Sequence, residues 1–313
     1  MPATAPLLDV LIIGGGPGGL SVATGLARQL YTAVVFDSGL YRNARSQHMH
    51  NVATWDHRSP AEFRAKARDD LLARYNTIQF VNTTIESVSK TPTGVFQTTD
   101  STGKVWEGRK LVLATGIRDV YPEIEGYDDV WGKAVYHCLF CDGYEDRGAA
   151  SAGVLAIGDM GNVGVSLHMA RMAKRLAEKV TIYLDGDQEL GDQIKIAAGD
   201  EICVDNRRIT RLQKGPIKSE LIMHFADGKQ KTEGFLVHKP KSEINGPFAQ
   251  QLSLELTEQG DIKTTQPFHE SSIHGVFAIG DCATPMKAVG IAMSMGGLGA
   301  GGLATQLQSE PRL

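Results

Sequence analysis

Two Rossmann-like nucleotide-binding domains of the α/β class, one inserted within the other, are what the sequence predicts, and three observations carry that reading. Three times along the chain a short apolar run ends in glycine: Val10-Leu-Ile-Ile13 before Gly14, Val154-Leu-Ala-Ile157 before Gly158, and Val276-Phe-Ala-Ile279 before Gly280. After the first two, a segment of helical period and a further apolar run follow, which is the order of a βαβ unit. Glycine is concentrated to match: 35 of 313 residues, about 11% against an ordinary ~7%, clustered at 14–19, 158–164 and 290–302. The first domain is expected to be split, residues 1–118 and 244–313, with the second, 119–243, inserted between.

Each element has its own warrant. Residues 10–13 read as a strand buried on both faces, as in a parallel sheet. Leu20 to Leu30 has helical spacing, and Ala33-Val-Val-Phe36 returns as a strand ending in Asp37. Residues 38–60 are polar and irregular, and 61–74 form an exposed amphipathic helix. Alternation at 78–88, 94–99 and 104–107 predicts an antiparallel hairpin or meander, and Lys110 to Gly116 a buried strand. The second unit runs from the strand at 154–157 through a helix to about Ala177 and a strand at Val180–Leu184. The third closes with a glycine-laden helix from about Ala288 to Gln306.

Composition excludes several function classes. A net charge of −4 without a Lys/Arg run argues against nucleic acid or an acidic membrane surface as partner. No stretch nears 18 uninterrupted apolar residues, so no membrane span is expected. Residues 1–9 lack a basic leader region, which points to a cytoplasmic location. Pro311-Arg312-Leu313 reads as a frayed tail rather than a peroxisomal signal.

Gly14-x-Gly16-x-x-Gly19 stands between strand and helix, where a dinucleotide-binding loop requires it. The first glycine permits the tight turn, the second a close approach of the Gly16-Pro17 backbone to a pyrophosphate, and the third close helix–strand packing. The helix N-terminus then favours phosphate, and Asp37 is placed to accept ribose hydroxyls. Gly280-Asp281 near the C-terminus supports FAD over NAD: an acid there can hold the ribityl chain, and the helix start at Ala288-Val289 can face the flavin pyrimidine and stabilise negative charge on it. His50 and Asn51 are candidates for the flavin's polar edge.

Cys138-Leu-Phe-Cys141 has no second Cys/His pair at zinc spacing, so it reads as a redox pair and no metal is assigned to it. One sulfur of such a pair can act as a lowered-pKa thiolate. Asp142 and His137 flank the motif, and either can shuttle a proton during exchange, Asp142 being favoured. Cys203 and Cys282 are expected to be buried structural thiols.

Gly14–Gly19, Ala114-Thr-Gly116, Cys138-x-x-Cys141-Asp-Gly143 and Gly280-Asp281 occur in the order and spacing of low-molecular-weight thioredoxin reductases, and the resemblance covers nearly the whole chain. It implies a homodimer with one FAD per chain, Ala114 among the cofactor-binding residues and the dithiol in the inserted domain. It also implies that Cys141 lies against the flavin while Cys138 exchanges with substrate.

The nicotinamide site of that family is interrupted twice. Met160 replaces the central glycine of the second loop, Gly158-Asp-Met-Gly-Asn-Val163, and is expected to fill the space needed by a pyrophosphate. At the next strand end the family's arginines give way to Asp185, Asp187 and Glu189. At ~5 Å each would repel a 2′-phosphate by about 1 kcal/mol even in water; Asp185 could still take the ribose diol of NADH. With NADPH disfavoured, electrons are expected to run from a substrate dithiol through Cys138–Cys141 and FAD to O2, giving H2O2. Tyr41-Arg-Asn43…His48-Met-His-Asn51 and Tyr136-His-Cys-Leu-Phe-Cys141 resemble the dithiol oxidases that close disulfides in epidithiodiketopiperazines such as gliotoxin and in holomycin, although Asp142 stands where some of them have histidine. The alternatives are a thioredoxin or disulfide reductase fed by NAD(P)H or ferredoxin, and a non-catalytic flavin-binding protein.

Overall fold

A computed structural model describes residues 7–310, so the leader reading and the tail at 311–313 lie outside the described residues. β1 (Leu8–Ile13), α1 (Pro17–Arg28) and β2 (Ala33–Asp37) form the first βαβ unit. β1 and β2 pair in parallel, with Ile13 opposite Phe36, so Gly14 and Asp37 emerge side by side at the same sheet edge. After α2 (Pro60–Arg74), the stretch expected as an antiparallel run divides. β3 (Ile78–Asn82) pairs in parallel with β2, whereas β4 (Ile85–Lys90) and β5 (Phe96–Asp100) are antiparallel.

The two strands expected at 104–107 and 110–116 are one, β6 (Val105–Leu113). Its first half is antiparallel to β5, it pairs in parallel with β1 from Gly108 to Leu113, and its last residues are parallel to β17 (Val276–Ala278). The sheet order is β3-β2-β1-β6-β5-β4, with β17 also on β6. Alternation along the central strands supplies both faces. Leu11, Ile13, Val34, Phe36, Leu111 and Leu113 enter one core, and Val10, Ile12, Ala33, Val35 and Val112 enter the other with residues of α1. This is the two-sided burial that continuous apolar strands require.

β7 (Ile117–Val120) leads into the inserted unit. There α3 (Tyr127–Val130) and β8 (Val135–Tyr136) precede β9 (Ala149–Leu155), α4 (Val163–Lys174) and β10 (Ala177–Tyr183). α5 (Gln188–Ala198), β11 (Cys203–Asp205), an antiparallel sheet of β12 (Ile209–Lys214), β13 (Leu221–Phe225) and β14 (Gln230–Glu233), and β15 (Leu236–Val237) complete it. Its parallel sheet has the order β11-β10-β9-β15-β8. β16 (Lys241–Ile244) returns the chain and pairs with β7; α6 (Phe248–Gln251), β17 and α7 (Val289–Ser309) finish the first unit.

The chain divides into two units. One comprises the described residues through Ala44, Arg58–Arg118 and everything from Glu243; the other comprises Arg45–His57 and Asp119–Ser242. The loop 45–57 thus belongs with the inserted unit, where continuity of sequence had assigned it to the first. Arg45 explains part of this: its guanidinium pairs with the Asp128 carboxylate at 2.7 Å and bonds the Asp128 carbonyl. Cys282 is buried, but Cys203 is exposed, contrary to expectation. β11 is an edge strand whose neighbour Ile202 takes the inward position, and alternation turns Cys203 outward. Among the described residues no helix is long and apolar enough to cross a membrane.

Candidate active site

In the first unit the glycines of the first loop divide by role. A Cβ at Gly14 would lie 2.1 Å from the Ala114 carbonyl oxygen, and one at Gly19 would lie 2.0 Å from the Gly14 oxygen. Those two, with Ala114, are close backbone contacts that leave no room for a side chain. A Cβ at Gly16 would meet nothing within 4 Å, so the loop is open at the one position where a ligand backbone contact was expected. Gly16 is the N-cap of α1 and Pro17 its first residue, and no side chain caps the helix. α7 likewise starts at Val289 behind Ala288 with no side-chain cap. First-turn N–H groups of an α-helix have no intrahelical partner, so both helix starts offer donors and positive partial charge to an anionic ligand.

Asp37 sits at the end of β2 beside this loop. Its carboxylate accepts from the Gly39 N–H (3.0 Å) and from the Tyr41 hydroxyl (2.5 Å). Burial, and next the Asp37 carboxylate, push the Tyr41 hydroxyl up to about 12, and the Arg64 guanidinium lies 3.7 Å over the Tyr41 ring. Asp281 pairs with Arg42 at 3.8 Å. Lys287 fixes the approach to α7, bonding the Asp261 carboxylate (2.5 Å) and the Asp281 and Thr284 carbonyls (2.7 Å each). Glycine spacing gave no sign of Arg64 or Lys287, because Tyr41 and Asp261, the side chains they meet, lie more than twenty residues away in sequence.

In the inserted unit Cys138 and Cys141 form a disulfide, with Cα atoms 5.3 Å apart. The Cys141 and Asp142 N–H groups both donate to the Cys138 carbonyl (3.1 and 3.0 Å), closing the motif as a tight turn. Gly143 follows at φ +108°, a conformation that favours glycine, and starts a short turn at Tyr144–Asp146. Buried Tyr136 anchors that turn by donating to Asp146 (3.0 Å). The His137 ring packs on Trp131 with centroids 5.6 Å apart. Asp142 is largely buried, and that burial pushes its carboxyl up to about 6; Glu145 and Asp146 add to the rise and His50 opposes it.

His50 and Asn51 are spent on this motif. His50 Nδ1 donates to the Cys141 carbonyl (2.6 Å), and Asn51 Nδ2 donates to the Phe140 carbonyl (2.5 Å). Contact with the flavin's polar edge was the expectation; both side chains bond the backbone of the dithiol loop, because loop 45–57 belongs to this unit. His57 and Glu145, which the sequence reading passed over, join them: His50 Nε2 lies 3.0 Å from His57 Nδ1 and 3.4 Å from Glu145 Oε1. The one signal was the density of histidine at 48, 50 and 57.

The second glycine loop is built differently. Met160 was expected to obstruct a pyrophosphate with its side chain. That steric reason is corrected: the side chain is 1% exposed, turned into the core, and its sulfur accepts the Lys239 N–H. What changes is the backbone. Gly158–Met160 is a 3₁₀ turn; the N–H groups of Met160, Gly161 and Asn162 donate to the carbonyls of Ile157, Gly158 and Met160. Asn162 Oδ1 then caps α4 at the Val165 N–H (2.9 Å). Asp185, offered as a ribose ligand, accepts the Ile209 N–H (2.6 Å), and Asp187 caps α5 at Leu190 (3.0 Å).

Over residues 8–296 the chain matches the family described as pyridine nucleotide-disulphide oxidoreductase. It is 47% identical to thioredoxin reductase aclD of Aspergillus oryzae, an alignment covering 98% of this chain and 99% of that one. Against thioredoxin reductase sirT of Leptosphaeria maculans it is 43% identical over 94% and 93% of the two chains. The crystal structure of HlmI is similar at 26% identity with a TM-score of 0.86, covering 96% of this chain and 93% of that one.

Proposed function

The chain belongs to the pyridine nucleotide-disulphide oxidoreductase family, and on that premise we propose that it is an FAD-dependent dithiol oxidase closing a disulfide in a small-molecule dithiol. It is an oxidoreductase acting on sulfur groups, with the fold of low-molecular-weight thioredoxin reductases and FAD as its cofactor. Gly14, Gly16, Pro17, Gly19, Asp37, Ala114, Asp281 and the α7 start at Ala288-Val289 are the residues that would hold FAD. When bound, FAD supplies the two-electron acceptor between the enzyme dithiol and dioxygen.

One substrate sulfur attacks Cys138 and displaces Cys141; the second substrate sulfur then displaces Cys138. The substrate leaves as a disulfide and the enzyme keeps two thiols. Two electrons and two protons pass on to O2, giving H2O2. Asp142, with its carboxyl near 6, can take the proton of an attacking thiol and return it to a departing thiolate at neutral pH. Phe140, 73% exposed between the two cysteines, and Tyr144, 63% exposed, offer aromatic surface to an apolar substrate.

The observation that carries the direction of electron flow is the contrast between the two glycine loops. The first leaves its helix uncapped, whereas the second spends its N–H groups on its own carbonyls and on Asn162. A nicotinamide pyrophosphate therefore finds few donors there. Under anaerobic conditions a small dithiol should bleach the flavin and NADPH should not, and in air each dithiol oxidised should yield one peroxide. Rapid bleaching at micromolar NADPH would overturn the reading. It would favour the second one, a disulfide reductase, to which the names of the aclD and sirT relatives point.

A further inference from the structure

His50, His57 and Glu145 converge beside the dithiol loop with three ligand atoms turned toward one point. Their separations are 3.0 Å (His50 Nε2 to His57 Nδ1), 3.4 Å (His50 Nε2 to Glu145 Oε1) and 3.7 Å (His57 Nδ1 to Glu145 Oε1). For a tetrahedral ion bound at about 2.0–2.1 Å, ligand atoms stand about 3.3 Å apart, so this triangle has the size of one face of such a tetrahedron.

At His50 the protonation pattern suits a metal, and at His57 the Nδ1–H that donates to His50 Nε2 would give way to the ion by a shift of tautomer. A carbonyl only accepts, so the bond from His50 to Cys141 places a proton on Nδ1 and leaves the Nε2 lone pair pointing into the triangle. A ligating histidine usually donates its other ring nitrogen to a carbonyl or carboxylate in this way.

The scaffold holds the three residues in place. The His57 N–H donates to the Met49 carbonyl (2.9 Å), closing the loop that carries both histidines, and Asn51 ties that loop to Phe140. The His57 ring stacks on His48, with centroids 4.3 Å apart. His50 is 15% exposed, Glu145 44% and His57 58%, so the open side of the triangle faces water, which can supply a fourth ligand. Two imidazoles and one carboxylate suit Zn2+ rather than Mg2+ or Ca2+, which favour all-oxygen sets.

We propose that His50, His57 and Glu145 form a site for a divalent transition metal of the zinc class, with water in the fourth position, tethering loop 49–57 to the backbone of Cys141. The test is equilibrium dialysis of FAD-loaded, disulfide-oxidised protein against ZnCl2, in a Cys203→Ser background that removes the exposed thiol. Bound metal is counted by mass spectrometry, a readout independent of the oxidase reading. One zinc per chain at micromolar free metal is expected, undisplaced by a large excess of MgCl2. His57→Ala and Glu145→Gln, both at exposed positions, should each weaken binding at least ~10-fold, while His168→Ala, an exposed histidine elsewhere in the unit, should not. Absence of zinc from the parent protein, or undiminished binding in both variants, would overturn the site.

Discussion

Asp142 follows directly on the second cysteine, and its burial raises the carboxyl from 3.8 to about 6. Because the folded state holds this proton more tightly than the unfolded chain, the stabilisation from protonation is present at low pH. It is lost as pH rises through about 6. Asp142→Asn should therefore raise the melting temperature at pH 8 and leave it nearly unchanged at pH 4, the difference being at most about 3 kcal/mol. In single-turnover reduction by a dithiol, the parent profile should carry an inflection near pH 6 that Asp142→Asn lacks. At the cysteines, Cys138→Ser should abolish turnover with FAD still bound, as read from the visible spectrum, because the residues proposed to hold FAD lie in the other unit. Cys141→Ser should lose bleaching by dithiols; normal bleaching there would remove Cys141 from the role facing the flavin.

Among the elements, the two glycine loops look alike in sequence and differ in what their N–H groups do. Gly14→Ala sets a Cβ against the Ala114 carbonyl at φ +119° and should impair folding. Gly16→Ala meets no protein atom, so it should fold with a parental melt of the apoprotein yet purify with little flavin. Equal FAD content in Gly16→Ala and parent would show that the loop is not the cofactor's cradle. In the second loop, Met160→Ala removes a fully buried side chain and should cost about 2–5 kcal/mol in urea unfolding. It should not restore reduction by NADPH, because the 3₁₀ turn and the Asn162 cap persist. The strands β1, β2 and β17 were legible because runs buried on both faces carry a continuous apolar signal, whereas β9 was expected at 154–157 and begins at Ala149, its half-exposed start carrying no such run. β3 was misread as part of a meander because alternation reports a half-exposed strand without naming its partner or direction.

At the scale of the whole molecule, α7 buries Ala292, Met295, Ala300 and Leu303 and leaves Ile291 and Leu298, two turns apart on one side of the helix, exposed. An apolar helix face left to solvent suits burial against a second copy, as the resemblance implies. Sedimentation should give a dimer, and Ile291→Glu with Leu298→Glu should give a monomer that keeps the far-UV spectrum. A parent that sediments as a monomer would remove the homodimer from the account.

Local chemistry wrote much of this protein into its sequence. Strand, glycine turn and helix are contiguous, so the first βαβ unit with its glycine loop, the place of Asp37 at the end of β2, and the pairing of Cys138 with Cys141 could be read from spacing alone. Tertiary structure decided the remainder, because it depends on which distant segments meet. Loop 45–57 joins the inserted unit, so His50 and Asn51 hold the dithiol backbone, and His57 and Glu145 meet across almost ninety positions of chain. Met160 turns inward because the core of its unit has room for it, and no spacing rule records which way a side chain will face.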